Sequence, residues 1–412
     1  MTRLEPNEID TLTPHAGADN RTEDRRPAEE LKARTEIVAA SAEKHATHVD
    51  QEARFPTEAI EAAQAQRLMG IMVPRDLGGE GASLSAVADI CYRLGRACAS
   101  SAMIYAMHQI MVACLLRHHG NTAWHKALLR RLCAEQLLLA SSTTEGRGGG
   151  NLRSSEAPVE RSGSRISLER RATVISYGAN ADGIVTTARR AADAAASDQV
   201  LVVFLKEDYS LEPLVAWDTL GMRGTCSAGF TLRASGEANQ VLPEPYEAIH
   251  PQTMVPVSHL AWASVWAGIA AGSVERAQFF VRNAARQAGG QLPPGAAHYT
   301  TATASLVTLR GLVASSLQRF ERASHDRQML ASLDFQTMVN LTKVGASELA
   351  VSTVMAAFRA CGLSGYRNDG EYTLGRYLRD VLSSPIMINN DRILANVGAS
   401  SLMSPVPSGL GE

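Results

Sequence analysis

Apolar and polar positions fall into three regimes along the chain. From Ala28 to about Arg54 apolar residues recur at helical spacing (Leu31, Val38, Ala42, Val49), Phe55-Pro56 interrupts them, and a short helix is predicted to Met69. GIMVPRDLGGEGAS then reads as a Pro/Gly loop. Helical periodicity resumes over 84–117, with Val87, Ile90, Cys91 and Leu94 on one face, and a shorter helix is predicted over roughly 121–136. The character changes at Leu137. LLLASSTT, RISLERRATVIS, DGIVTTA, QVLVVFL and GFTL are short β-rich runs separated by Gly, Ser, Asn and Asp, which predicts a small antiparallel β domain over 138–252. Helix returns at 253, where HLAWASVWAGIAAGSVERAQFFVRNAARQ is apolar on nearly two sides and so is expected to be deeply packed. Further helices are predicted over 300–330, 334–361 and 391–402. Residues 1–27 are polar without periodicity and read as a disordered tail. The fold class is α+β, mostly α: an N-terminal helical domain (28–137), a middle β domain (138–252) and a C-terminal helical bundle (253–412), not an alternating βαβ pattern.

Composition narrows the chemistry. Of 412 residues, 45% are apolar and 20% charged, a globular balance. Aromatics are only 5%, so Ala, Leu, Val, Ile and Met must build the core, which favours closely packed helices. Lys plus Arg total 40 against 42 Asp plus Glu, a net charge of −2 that gives no electrostatic footprint for nucleic acid or an anionic membrane. Residues 99–116 approach the length of a membrane span, but Ser100, Ser101, His108 and Gln109 interrupt them, so a buried core helix is expected. The six cysteines fit neither a CxxC pair nor a small disulfide scaffold, and no basic-then-apolar leader opens the chain, so a reducing cytoplasm is the expected location.

Few motifs carry chemistry by themselves. TTEGRGGGN (143–151) follows a predicted strand and offers backbone N–H groups to a phosphate, or is an ordinary β-turn; it lacks both the dinucleotide fingerprint and the P-loop Lys. His118, His119 and His125 lack the spacing of a metal site, and no GxSxG supports a serine nucleophile.

Taken in order, several segments resemble the acyl-CoA dehydrogenase family of flavoproteins over roughly residues 30–395. They are FPTEAIEAAQAQRLMGIMVPRDLGGEGAS (55–83), ASSTTEG (140–146), VISYG (174–178), LGMRGTCSAGF (220–230), CGLSGY (361–366) and YTLGRYLRD (372–380). The resemblance implies an N-terminal helical domain, a middle β domain and a C-terminal four-helix bundle, with FAD between the last two and a homodimer or homotetramer in which a neighbour reaches the cofactor. It implies flavin contacts at Thr143, Thr144, Gly149, Ser176, Gly362 and Gly365. It also places Arg286 where the family has an Arg for the neighbour's pyrophosphate, a role that suits a bidentate guanidinium. The Phe that follows that Arg in the family is missing here, with Gly289 near its place, and the alternative for Arg286 is a helix C-terminal charge offsetting the dipole.

The implied reaction is α,β-dehydrogenation of an acyl thioester on CoA or a carrier protein, followed by electron transfer to a flavin electron acceptor. It needs a general base within reach of the α proton. The family's usual Glu falls shortly after an Arg-Asp pair; counting from Arg379-Asp380 puts Ile388 there, and isoleucine accepts no proton. The alternative family position, at the start of the long bundle helix, falls on Leu260 to Trp262, again without a carboxylate. The substitutes are Asp391, whose other reading is a helix first-turn charge; His108, whose other reading is a satisfied core histidine; and His259, whose other reading is a helix-entry residue at the surface. A base-free site also fits the two-component flavin monooxygenases of the same fold, which take reduced flavin from a separate reductase; a third reading is a flavin-binding homologue without chemistry.

Overall fold

A computed structural model describes residues 25–144 and 154–402, with isolated positions 406 and 409. Five helices open it: α1 (Arg25–Gln51), α2 (Thr57–Ala65), α3 (Leu84–Ala97), α4 (Ala99–His118) and α5 (Ala123–Glu135). The span predicted as one helix over 84–117 is two, because Cys98 adopts an extended conformation that breaks the ladder between α3 and α4. Nor is the polar tail as long as 1–27, since α1 is helical from Arg25. Ser83 caps α3 by accepting from the Ala86 N–H, and Thr122 caps α5 by accepting from that of His125.

Strands β1 (Leu139–Ser142), β2 (Glu160–Ser162), β3 (Arg165–Ala172), β4 (Gly183–Arg189), β5 (Gln199–Leu205), β6 (Tyr209–Val215) and β7 (Gly229–Glu237) follow. They form two sheets, β1-β4-β5 and β2-β3-β7-β6. The second is antiparallel, and β3 alternates buried and exposed residues along its length as a one-sided strand should. In the first, β1 runs parallel to β4, Leu139 opposite Gly183 and Ser142 opposite Thr186, so the β region is mixed and not purely antiparallel. β5, QVLVVFL, is buried at every position, which matches its unbroken apolar run.

The last part begins earlier than residue 253. A turn of helix, α6 (Tyr246–Ile249), passes through a π turn (His250–Met254) into the long α7 (Val255–Gln287). Then come α8 (Ala296–Ala323), α9 (Arg327–Ala331), α10 (Leu333–Cys361), α11 (Leu363–Tyr366), α12 (Gly375–Val381) and α13 (Asn390–Ser401). α7 is the axis of the molecule, packed on α3, α4, α8 and α10. Its crossing with α3 is backbone against backbone: a Cβ on Gly268 would lie 2.2 Å from the Tyr92 carbonyl oxygen, and one on Gly95 would lie 2.5 Å from that of Val265. Only glycine permits that approach.

Three helical stretches, Ala99–His118, Tyr246–Gln287 and Leu333–Cys361, are long and apolar enough to cross a membrane by composition. The apolar windows of the first two are 89% and 100% buried inside the protein. In α4 the Gln109 amide nitrogen is tied inward: Nε2 donates to the carbonyls of Leu68 and Met69 at 3.0 and 3.1 Å. The amide nitrogen is thereby satisfied, while its Oε1 stays buried without a partner.

Candidate functional site

A cavity of about 420 Å³ opens where the β region meets the helices. Several segments from both parts of the fold deliver its walls. β1 carries Ser141, Thr143 and Thr144 to the rim, held on β4 by the Thr186 hydroxyl donating to the Ser142 carbonyl at 2.8 Å. The 174–178 segment, predicted as a strand, is instead a turn after β3. Its Ile175 N–H donates to the Ala228 carbonyl and its Tyr177 N–H to that of Thr225, each at 2.8 Å. Tyr177 holds a left-handed φ of 45°, and its hydroxyl donates to the Leu139 carbonyl at 3.0 Å. The turn is thus pinned to LGMRGTCS on one side and β1 on the other, and presents Ser176 to the cavity.

The LGMRGT turn is seated by α12. A Cβ on Gly221 would strike the Arg379 carbonyl oxygen at 2.2 Å, and the Met222 N–H donates to Asp380 Oδ1 at 2.7 Å. Burial raises the Asp380 carboxyl to about 6, against the pull of Arg376 and the Met222 bond. Arg379 pairs with Asp50 of α1. These contacts align Met222, Thr225 and Ser227 on one wall. Thr225 Oγ1 to Ser227 Oγ and Ser227 Oγ to Ser176 Oγ are both 2.8 Å, a line of hydroxyls ending at the cavity.

The opposite wall is apolar, built by Met103, Met107 and Met111 of α4, by Met254 at the end of the π turn and by Trp262 in α7. The last wall is the 383–388 loop, which a buried ammonium holds. Lys343 Nζ donates to the carbonyls of Ser384 and Ile388, each at 3.1 Å, and to Asn390 Oδ1 at 2.7 Å, and lies 5.5 Å from the Trp266 ring centre. Burial lowers its pKa to about 8, with Glu348 acting the other way. Ile388 itself has φ of 47°, a left-handed conformation that costs a β-branched residue about 1–2 kcal/mol.

The sequence-derived candidates separate sharply. Thr143, Thr144 and Ser176 all line the cavity. Gly149 lies outside the described residues. His108 does not reach the site: it is fully buried, its Nε2 bonds the Met69 carbonyl at 2.9 Å, and its Nδ1 accepts from the Leu139 N–H at 3.0 Å. Burial lowers it to about 4, against the Met69 bond, so it is a neutral structural link between α4 and β1 and not a catalytic group. Asp391 is exposed in the first turn of α13, its N–H donating to Asn389 Oδ1 at 2.8 Å, and is not part of the cavity wall. Gly362 ends α10 with φ of 52° and Gly365 packs inside α11 against Cys361; neither lines the cavity. Arg286 is exposed in the last turn of α7, 28 positions beyond Ser258 and hence roughly 42 Å along the helix from the cavity.

His259 is not at the surface. It is 3% exposed, lines the cavity with Trp262, and burial, reinforced by the Lys343 charge, lowers it to about 3 against a bond to the Val339 backbone. His259 Nδ1 and Trp262 Nε1 are buried without a hydrogen-bond partner. The sequence reading placed His259 at the surface, although the spacing of 259 and 262 puts it on one helical face with Trp262 in a stretch expected to be deeply packed.

The residues present fit a flavin ring: hydroxyls along one side, an apolar wall facing them, and buried ring nitrogens left unpaired. Thr143, Thr144, Ser176 and Ser227 would hold the ring's polar edge.

Comparison with known proteins agrees with this architecture. Residues 28–136 match the family model described as acyl-CoA dehydrogenase, N-terminal domain. The probable acyl-CoA dehydrogenase fadE25 of Mycobacterium leprae (strain TN) is 23% identical over 376 residues, covering 89% of this chain and 93% of that one. The amino sugar nitrososynthase DnmZ of Streptomyces peucetius is 25% identical over 362 residues, 82% and 84% of the two chains. FMN-bound TdsC from Paenibacillus sp. A11-2, a dibenzothiophene monooxygenase, superposes with a TM-score of 0.81 at 17% identity, over 92% of this chain and 98% of that one. Residues 28–136 are thus similar to an acyl-CoA dehydrogenase N-terminal domain, and the whole chain has the fold of these flavoproteins. Dehydrogenases and oxygenating enzymes both stand among its relatives.

Proposed function

We propose that this chain is a flavin-dependent monooxygenase built on the acyl-CoA dehydrogenase fold. One observation carries the reading: among the described residues lining the cavity none is Asp or Glu, and Ile388 stands where a base would be needed. Removing the α proton of a thioester requires an acceptor of adequate basicity in reach. His259 is the titratable side chain on the described wall, and its depressed pKa makes it a poor proton acceptor. Oxygen transfer has no such requirement. It consumes reduced flavin, O₂ and substrate, gives one oxygen atom to the substrate and releases the other as water.

Bound flavin would supply the two electrons; the protein supplies position and dryness. The hydroxyl line from Thr225 to Ser176 fixes the ring's polar edge, and the methionine wall keeps water out. The cofactor is FAD, delivered reduced by a separate reductase, and Arg286 of a second copy meets its pyrophosphate; the reach of α7 away from its own cavity supports that arrangement. The protein is accordingly a homodimer or homotetramer acting in the cytoplasm. The second reading is acyl-thioester dehydrogenation, favoured by curated relatives that cover about nine-tenths of the chain.

The test supplies flavin-loaded protein with a flavin reductase, NADH, ¹⁸O₂ and indole as probe. The expected product carries one labelled oxygen and forms only when the protein is present. Unlabelled indole, together with flavin bleaching by an acyl-CoA, would overturn the proposal in favour of the second reading.

A further inference from the structure

Methionine is concentrated at the cavity. Six of the chain's thirteen methionines, Met103, Met107, Met111, Met222, Met254 and Met387, lie on its wall. Met103, Met107 and Met111 recur every fourth residue, so α4 turns one continuous stripe of thioethers toward the space. Trp217 and Trp262 add two indoles. Among the described lining residues there is no Lys, Arg, Asp or Glu.

We infer that the substrate group taken into this cavity is an uncharged aromatic ring system. Two physical arguments lead there. A carboxylate, phosphate or ammonium brought into this mostly apolar space without a counter-charge loses its hydration and regains only hydroxyl hydrogen bonds. Thioether sulfur, in contrast, is polarizable and gains about 0.3–1.5 kcal/mol against an aromatic ring beyond ordinary apolar contact, while the unbranched side chain adapts to a flat shape. Leucine would fill the same volume for an aliphatic guest and would specify it more rigidly. The concentration of sulfur at this wall therefore selects for π-systems over alkyl chains. This assignment rests on the monooxygenase reading only for its label as substrate; the cavity's preference is a property of the wall alone.

Three probes share one skeleton: 2-naphthol (neutral, aromatic), 2-naphthoate (charged, aromatic) and decahydro-2-naphthol (neutral, aliphatic). Their binding to the full chain is measured by titration calorimetry, with and without saturating FAD. The wild type is expected to bind 2-naphthol at least tenfold more tightly than 2-naphthoate and at least threefold more tightly than decahydro-2-naphthol. Met107→Leu/Met111→Leu, which keeps volume and apolarity, is expected to bring the aromatic-to-aliphatic ratio near one while leaving decahydro-2-naphthol affinity unchanged. If that double variant fails to fold, Met107→Leu alone serves, since Met107 is only half-buried and lowers the ratio in the same direction. Equal binding of naphthol and naphthoate, or an aromatic preference untouched by either variant, would overturn the inference. A protein that takes up no flavin yet keeps the naphthol preference would sink the proposed function and leave this inference standing.

Discussion

His108 shows how a residue's surroundings decide its role. Sequence alone puts a lone histidine on an apolar helix, where a proton-transfer group and a core link look the same. The structure closes both ring nitrogens with backbone partners, so what remains is a buried neutral imidazole. Two more share that state: burial lowers His125 to about 4 and His259 to about 3. A histidine whose folded pKa lies below its unfolded value is protonated first in the unfolded chain, so stability is full above about pH 6.5 and falls as pH drops toward 4. Each such group costs up to about 1.4 kcal/mol per pH unit in that window. Asp380, raised to about 6, acts in the opposite sense and offsets roughly one of the three. The melting temperature is therefore expected to fall by at least about 5 °C between pH 7 and pH 5; an unchanged value would contradict the burial of these rings as neutral species. Thr143, Thr144 and Ser176 could be placed at the cavity because the order of several segments carried the family resemblance that pointed to them. The cavity-facing burial of His259 was not, because helix entry at residue 253 looks like a surface start until the chain is seen to be helical already from Tyr246.

At the scale of elements, periodicity found the long helices and most strands, since burial on one face leaves a 3.6- or 2-residue signature. It missed whatever depends on a partner far along the chain. The parallel pairing of β1 with β4 spans some forty residues, and nothing local in LASS announces its direction. The VISYG turn reads as a strand because its apolar residues are buried by tertiary contact and not by a ladder. Lys343 is a further case: a cation inside α10 looks like a surface residue in sequence, yet it fastens the loop that forms one cavity wall. Lys343→Met leaves Asn390 Oδ1 and two carbonyls short of a donor, and an unsatisfied buried polar group costs about 1–3 kcal/mol. The variant is expected to lose about 2–4 kcal/mol in denaturant unfolding and to bind flavin less tightly. Unfolding at the wild-type midpoint would show that the loop holds without the clamp.

For the whole molecule, the order of helical region, strands and helical bundle was legible from the changes in period at 137 and near 253. What the sequence did not reveal is that the three parts converge on one space, since that depends on Gly95 meeting Gly268 and Gly221 meeting Arg379. The same convergence puts Ile388 on the cavity wall and leaves Asp391 outside it, so among the described residues the assembled wall carries no carboxylate. The central claim, that this cavity does not run base-assisted dehydrogenation, is tested most directly by anaerobic titration of the FAD-loaded protein with acyl-CoA thioesters from short to long chain, following the flavin absorbance near 450 nm. The account predicts that the flavin stays oxidised with every thioester; prompt stoichiometric bleaching by any one of them would contradict it.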